Sequence, residues 1–475
     1  MARPLTWLST LGLTVLLPRY LGDVNLGRMN FAFAFADWCG LLASFGIATY
    51  LTKEVARRPL EAAAIVFNAL VLRAVMAIAV GTTAVVVAAL LPVSELTRTL
   101  IYLLTLHMLL MVVGGVIIGG LQGAQELRSV AVIDAVSKVL QLGLIATVLF
   151  MGFGPIAVAA AYVAGDLLMI AFLLRAILRK VGLHGPLDRS MWVSLFRGGA
   201  PFLVWETALL TYARVDVVIL SLFAHDAVLG WYSAAYRIIS LPLFLPVIIM
   251  TAVFPALSAS SRDPATFNNL ARRAIQAVAL TTVPMSLGLM LIAGALIRFF
   301  GYPGGFDNSV GPLVLLSATL PLVGINMILG CVLAARDRQR QWAIAGVAAA
   351  VLNVSVNFVA IPYTQAHFDN GAIGAAAVTS LTEVMLLGAG LFLCPRGVFD
   401  SATVRFVLRC GLAALVMAVL IWPLRDGSVL LTVPFGALVF LVAAFATRAV
   451  SSEDVRALRA MLARRGELPP EPATF

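Results

Sequence analysis

Four ionisable side chains stand inside an otherwise apolar stretch between Arg197 and Pro255: Glu206, Arg214, Asp216 and Arg237. An ionisable group at mid-bilayer costs at least ~2.5 kcal/mol even on the most lenient scales, so several together point to a polar cavity. A guanidinium carries a planar fork of donors that binds phosphate oxygens two at a time, and it stays charged at any depth. The carboxylates can neutralise such a cation or attract one of their own. Two spans must hold these groups, roughly Gly198 to Leu222 and Val228 to Phe254. A polar break at Ala224, His225 and Asp226 separates them, and Pro242 and Pro246 interrupt the second.

The rest of the chain supplies a membrane scaffold. It is 61% hydrophobic and 12% charged over 475 residues, with a mean hydropathy of +1.00. A soluble protein of that composition would expose far too much apolar surface, so an all-α polytopic membrane protein is expected. The net charge of +10 does not gather on one face, as a nucleic-acid surface would require. It sits in alternate loops, the pattern that sets membrane orientation. Cys39, Cys331, Cys394 and Cys410 lie singly, without a CxxC pair, and read as packing residues rather than metal or redox centres. No cofactor motif and no nucleotide-binding P-loop is present. Three lysines stand against thirty arginines, the bias of a high-GC, bacterial genome.

Hydropathy places about 14 spans, with loops too short for a soluble domain. The first, Leu5 to Leu17, is short, and it either takes in Arg19 to Leu21 at its outer end or starts upstream of Met1. It lacks the basic region and cleavage site of a signal peptide. With the N-terminus inside, 24 of the 33 lysines and arginines fall in cytoplasmic segments and five in outer ones. That bias sets both termini on the cytoplasmic side. Residues after Arg448 are expected to form a short amphipathic surface helix ending at Pro469–Pro470.

The two halves echo each other. Leu26-Gly27-Arg28-Met29-Asn30-Phe31-Ala32-Phe33 aligns with Leu229-Gly230-Trp231-Tyr232-Ser233-Ala234-Ala235-Tyr236. Gly154-Pro155-Ile156-Ala157 aligns with Gly371-Ala372-Ile373-Gly374, and Asp166 and Glu383 then fall at the same offset. Corresponding spans run the same way, which predicts a parallel pseudo-twofold repeat. The expected organisation is an N-terminal six-helix lobe (1–180), an interlobe loop (181–197) and a second six-helix lobe (198–396). A terminal helix pair (397–448) and a cytoplasmic tail (449–475) complete it.

Arg19-Tyr20-Leu21-Gly22, Leu26-Gly27, Phe45-Gly46-Ile47 and Tyr50-Leu51-Thr52-Lys53-Glu54-Val55-Ala56-Arg57 resemble the opening of the polysaccharide-unit flippases. Gly120-Leu121-Gln122-Gly123 and Leu229-Gly230-Trp231-Tyr232-Ser233-Ala234-Ala235-Tyr236-Arg237 are similar to that family too. It belongs to the multidrug/oligosaccharidyl-lipid/polysaccharide exporter superfamily, and the resemblance covers essentially the whole chain. It implies export of a polyprenyl-linked oligosaccharide, such as a lipopolysaccharide or polysaccharide repeat unit, by alternating access in the bacterial cytoplasmic membrane. Glycosyltransferases and a polymerase would be the partners, with membrane lipids around the protein and no nucleic acid.

In the family's arrangement the first two spans of each lobe face a central cleft. Asp37, Arg214, Asp216 and Arg237 would then line it, with Glu206 deeper. The arginines would attract the carrier's pyrophosphate, while Asn30, Trp38, Trp205, Tyr212, Trp231 and Tyr236 receive sugars. The plainer alternative is ion pairing of Arg214 or Arg237 with Asp37 or Asp216. Arg214 and Asp216 point to nearly opposite helix faces and are not natural partners. Glu383 is the better candidate for coupling to a proton or sodium ion, and Asp166 the second, although a hydrogen-bonded structural role is the simpler account of both. Asp134 and Lys138 are spaced to pair, Lys138 at about the depth of Asp166. Arg73 is expected to snorkel, and His107 stands on an apolar helix with no companion ligand.

A drug antiporter of the same fold would favour acidic, aromatic cleft residues for cationic cargo. A lipid II flippase would differ only in cargo. A polytopic polymerase or ligase would need outer loops larger than these, and no catalytic group is assigned.

Overall fold

The computed structural model describes residues 2–449, and the side chains of residues 6–449 except those of Pro201, Val204 and Trp205. The expected tail helix after Arg448 lies outside the described residues. Among them there is no strand. The chain winds through α1 (Ala2–Ser44), α2 (Ile47–Arg57), α3 (Ala62–Leu90), α4 (Glu95–Gly123), α5 (Leu127–Phe150) and α6 (Pro155–Lys180). It continues through α7 (Arg189–Phe223), α8 (Asp226–Ser240), α9 (Phe244–Ala259), α10 (Pro264–Phe299) and α11 (Val310–Ala334). The last four are α12 (Gln339–Phe368), α13 (Gly371–Leu393), α14 (Ser401–Ile421) and α15 (Val429–Ala446).

Eleven stretches are long and apolar enough to cross a membrane, twelve when the broken pair α8–α9 counts as one. One of the eleven is long enough for two spans, and one further helix has the length for one. Thr6–Arg57 is a 52-residue stretch interrupted at Gly22, whose φ of 74° lies in the left-handed region that favours glycine. Helix α7 is 35 residues long. With these, the expected fourteen is consistent with the helices observed. The first helix does take in Arg19 to Leu21 before its break. The protein is thus an all-α, multi-pass membrane protein.

Contacts divide the chain into two compact units. One holds Met1–Leu241, Phe300–Leu313 and Gly346–Thr382; the other holds Pro242–Phe299, Val314–Ala345 and the described part of Glu383–Phe475. The core of the first gathers Ile47, Leu51, Val55, Val66, Val116, Leu173 and Ile177 from α2, α3, α4 and α6. The core of the second gathers Leu257, Phe267, Ile275, Val278, Ile328 and Leu329 from α9, α10 and α11.

Helix ends follow local chemistry. The side chain of Asp188 accepts from Ser190 N at the start of α7, and that of Asp400 accepts from Thr403 N at the start of α14. Both N-caps satisfy donors that have no partner inside the helix. The hydroxyl and amide of Ser190, and the amide and hydroxyl of Thr403, donate to these carboxylates and hold both below the usual carboxylate range.

Two expectations are corrected. Of Pro242 and Pro246, only Pro242 stands at a break, in the turn Leu241–Leu243. Pro246 sits in the first turn of α9, where its missing N–H leaves no bond unmade. Helices α10 and α11 run on through Pro284 and Pro321, which packed neighbours in a membrane bundle tolerate. Arg73 does not snorkel either. It is fully buried, and its Nη1 donates to Ala43 O. The reason is the break at Phe45–Gly46, which ends α1 in the interior and leaves carbonyls needing a donor. Glu206 supplies the opposite charge.

Candidate functional site

Helices α1, α7 and α8 build the site within the first unit. The first contact is backbone against backbone. A Cβ on Gly27 would stand 1.7 Å from Asp226 O, and one on Gly230 would stand 2.0 Å from Asp23 O. Only glycine permits that approach. The residue after each glycine then reaches across. Arg28 Nε meets Asp226 Oδ2 at 2.7 Å, and Trp231 Nε1 donates to Asp23 Oδ2 at 3.0 Å. Gly27 aligns with Gly230 in the two similar stretches of sequence, as Asp23 does with Asp226 and Arg28 with Trp231, so the clasp is self-complementary.

Inward along the same helices lies a cavity of about 370 Å³ lined by Asn30, Ala213, Arg214, Val217, Tyr232, Ser233, Tyr236, Arg237 and Ser240. The α8 residues recur at intervals of three, four and five, which puts them on one helical face. Arg214 Nε binds Asp37 Oδ2 at 2.7 Å, linking α7 to α1, with side chains 34% and 13% exposed. Arg237 forms no ion pair among the described residues, and its buried Nε has no hydrogen-bond partner. The cavity therefore holds one neutralised guanidinium and one that is not. An unpaired cation with an idle donor, flanked by tyrosine, serine and asparagine, is suited to an anionic group carrying hydroxyls.

The other expected residues scatter. Asp216 is buried behind the cavity wall, taking the Tyr232 hydroxyl and Val217 N at 2.8 Å. Arg214 and Asp216 do face different ways. Glu206 accepts from Ser44 Oγ at 3.3 Å, away from the cavity lining. Trp38 and Tyr212 are half-buried and do not line the cavity. Trp231 belongs to the clasp, and the side chain of Trp205 lies outside the described residues. Asn30, Arg214, Tyr236 and Arg237 line it. Tyr232, Ser233 and Ser240 were missed, though stepping by helical turns from Tyr236 and Arg237 would have found them.

The two ion-coupling candidates are each held by a polar neighbour. Asp166, on α6, is 2% exposed. It meets His107 Nδ1 of α4 and lies 3.5 Å from Gln141 Nε2 of α5. Glu383, in the second unit, accepts from Asn326 Nδ2 of α11 at 2.7 Å. Lys138 pairs with Asp134 at 3.2 Å, both about two-fifths exposed. It is His107, set aside in the sequence, that takes Asp166. Among the described residues no three His, Cys, Asp or Glu side chains gather as metal ligands would.

Comparison with known proteins agrees with this architecture. The chain is 25% identical over 280 residues to a probable flippase, AglR, of Haloferax volcanii, covering 58% of this chain and 56% of that protein. It is 22% identical over 173 residues to the probable low-salt glycan biosynthesis flippase Agl15 of the same organism, covering 36% and 35%. The chain thus spans about half and about a third of the length of these curated relatives. In fold it is similar to the lipid II flippase MurJ in an inward closed conformation, with a TM-score of 0.78 at 18% identity over 93% of this chain and 97% of that one. An inward-facing multidrug transporter of the MATE family superposes with a TM-score of 0.61 at 16% identity, over 80% and 97%. Residues 5–261, more than half of the chain, match the family model described as polysaccharide biosynthesis protein. On that match, the chain belongs to the polysaccharide biosynthesis protein family.

Proposed function

We propose that this protein is a flippase for a polyprenyl-pyrophosphate-linked oligosaccharide or polysaccharide repeat unit, moving it from the cytoplasmic to the outer leaflet. The observation that carries this reading is Arg237, a guanidinium with no ion pair among the described residues, in a hydroxyl-lined cavity beside the Arg214–Asp37 pair. The pyrophosphate would seat on Arg237 and compete with Asp37 for Arg214, sugars would meet the tyrosines, serines and Asn30, and the prenyl tail would stay in lipid. The repeat-related lobes, 1–180 and 198–396, would alternate access, with the pair 397–448 beside them. The protein performs no covalent step in this scheme. Its setting is a bacterial cytoplasmic membrane with both termini inside, where glycosyltransferases make the cargo and a polymerase uses it. The names of the relatives support the reading, as does the cavity's excess of positive charge, which does not suit a cationic drug.

Export of the assembled unit by cells that depend on this protein is the test. Arg237→Ala and Arg214→Ala should each abolish export while membrane insertion stays normal. Wild-type export by both variants would end the assignment. A lipid II cargo is the second reading, favoured by the fold likeness to MurJ. Rescue of cells depleted of their lipid II flippase would establish it.

A further inference from the structure

We propose that a slot between α3 and α4 is a binding site for one glycerophospholipid of the bilayer, its phosphate on Arg98 and one acyl chain in the slot. The site shares no residue with the cavity described above. On α3, Gly81, Ala84 and Val85 line it; on α4, Tyr102, Thr105 and Leu109 do so. Gly81, Ala84 and Ala88 recur at intervals of three and four, a spacing of small residues that ordinarily lets membrane helices close up. Here an opening of about 170 Å³ remains between the two helices. It faces the bilayer, since Val85 and Leu106 at its edges are 50% and 45% exposed. Its floor is Leu109, buried against Ala43 of α1 and Ala77 of α3.

The polar groups follow one another along the slot in the order that a phospholipid needs. Arg98 stands one helical turn from Tyr102, toward the end where α3 gives way to α4. Its Nε donates to Ala88 O at 3.2 Å and its Nη2 to Leu91 O at 3.4 Å. Ala88 is one turn, about 6 Å, from Ala84, so the guanidinium bridges both helices across the mouth of the slot. Both bonds are long, Nη1 makes none, and no carboxylate pairs with this side chain among the described residues. A half-buried guanidinium with a free donor edge is suited to a phosphate diester.

Tyr102 comes next, and Thr105 one turn deeper. Thr105 is 4% exposed, and its hydroxyl oxygen has no hydrogen-bond partner. The Cys39 thiol beside it is only a weak donor. A buried hydroxyl left without a partner is costly. A lipid whose phosphate sits on Arg98 brings its glycerol esters to the level of Tyr102 and Thr105, where a carbonyl oxygen satisfies that hydroxyl. The chain then runs past Gly81 toward Leu109.

The test uses the full chain in dodecylmaltoside micelles and a phosphatidylglycerol carrying a photoreactive diazirine on one acyl chain. After illumination, peptide mass spectrometry should find the label on residues 81–85 of α3 or 105–109 of α4, and unlabelled phosphatidylglycerol should compete. Arg98→Gln keeps a donor for the α3 carbonyls and removes the charge. It should need about tenfold more lipid for equal labelling, the loss of one charge-assisted hydrogen bond. Gly81→Leu fills the slot and should abolish labelling there. A Cβ on Gly81 meets only the tip of Leu109, at 3.0 Å, which can shift. A check that needs no variant is the same diazirine on a diacylglycerol, which has no phosphate. It should label the wild-type slot about tenfold less. Labelling spread evenly over the bilayer-facing helices, equal labelling by the diacylglycerol, or full labelling of Arg98→Gln would overturn the proposal. So would displacement of the label by farnesyl diphosphate and not by phosphatidylglycerol, which would give the slot to a prenyl chain. None of these outcomes touches the flippase reading, which stands or falls with Arg214 and Arg237.

Discussion

Asp166 and Glu383 fall at the same offset from two similar stretches of sequence, and each is a buried carboxylate on a membrane helix, yet their company differs in kind. Asp166 meets an imidazole. Glu383 meets a carboxamide, Asn326, which donates both to its Oε2 and to its backbone oxygen. An imidazole can gain or lose a proton at neutral pH and an amide cannot. The two acids therefore differ in their partners: one meets a ring that can carry charge, the other a neutral donor that ties α11 to α13. Matching two carboxylates in a sequence says that both halves tolerate a buried acid there. The partner says what the acid does.

The sharpest way to break this comparison is to delete each partner. His107→Ala leaves the buried Asp166 carboxyl without its imidazole partner and should cost more than the ~1–3 kcal/mol of a neutral buried group left unsatisfied. Asn326→Ala removes a neutral donor and should cost about 1–3 kcal/mol. Thermal unfolding in detergent, compared at one pH, checks both. Equal losses would mean that the two acids are in the same state. A gentler experiment rebuilds one half in the image of the other. The double change His107→Asn with Asp166→Glu should keep the fold within about 1–2 kcal/mol, read by the same thermal unfolding. The smallest effect is expected from Glu383→Gln, which still accepts from Asn326. It should change stability by about 1 kcal/mol or less and leave the pH profile of export where it was. A shifted profile would show that Glu383 titrates during export.

Much of the architecture is legible in the chain because lipid imposes it. Apolar runs of span length survive into the helices, and the glycines of Leu26-Gly27 and Leu229-Gly230 meet where α1 and α8 pack. Arg214 and Arg237 were conspicuous for the same reason, as charges where charge is expensive. What the sequence withheld was partner choice, which depends on helix rotation and on residues far apart in the chain. Asp216 could have faced the cavity, but Tyr232 turns it into the wall. His107 and Asp166 are 59 residues apart, and no local pattern joins them. Arg73 reads as a snorkelling residue until the break at Phe45–Gly46 is seen to leave a carbonyl stranded beside it.

The mutual approach of Gly27 and Gly230 has a consequence for how this family can vary. A tight spot between unlike residues can drift, since growth on one side is offset by shrinkage on the other. Here both sides are already the smallest residue there is, and each presses on the other's main chain. Neither half holds anything in reserve, so no second-site change can rescue a first, and both positions should be intolerant of replacement wherever this clasp is retained.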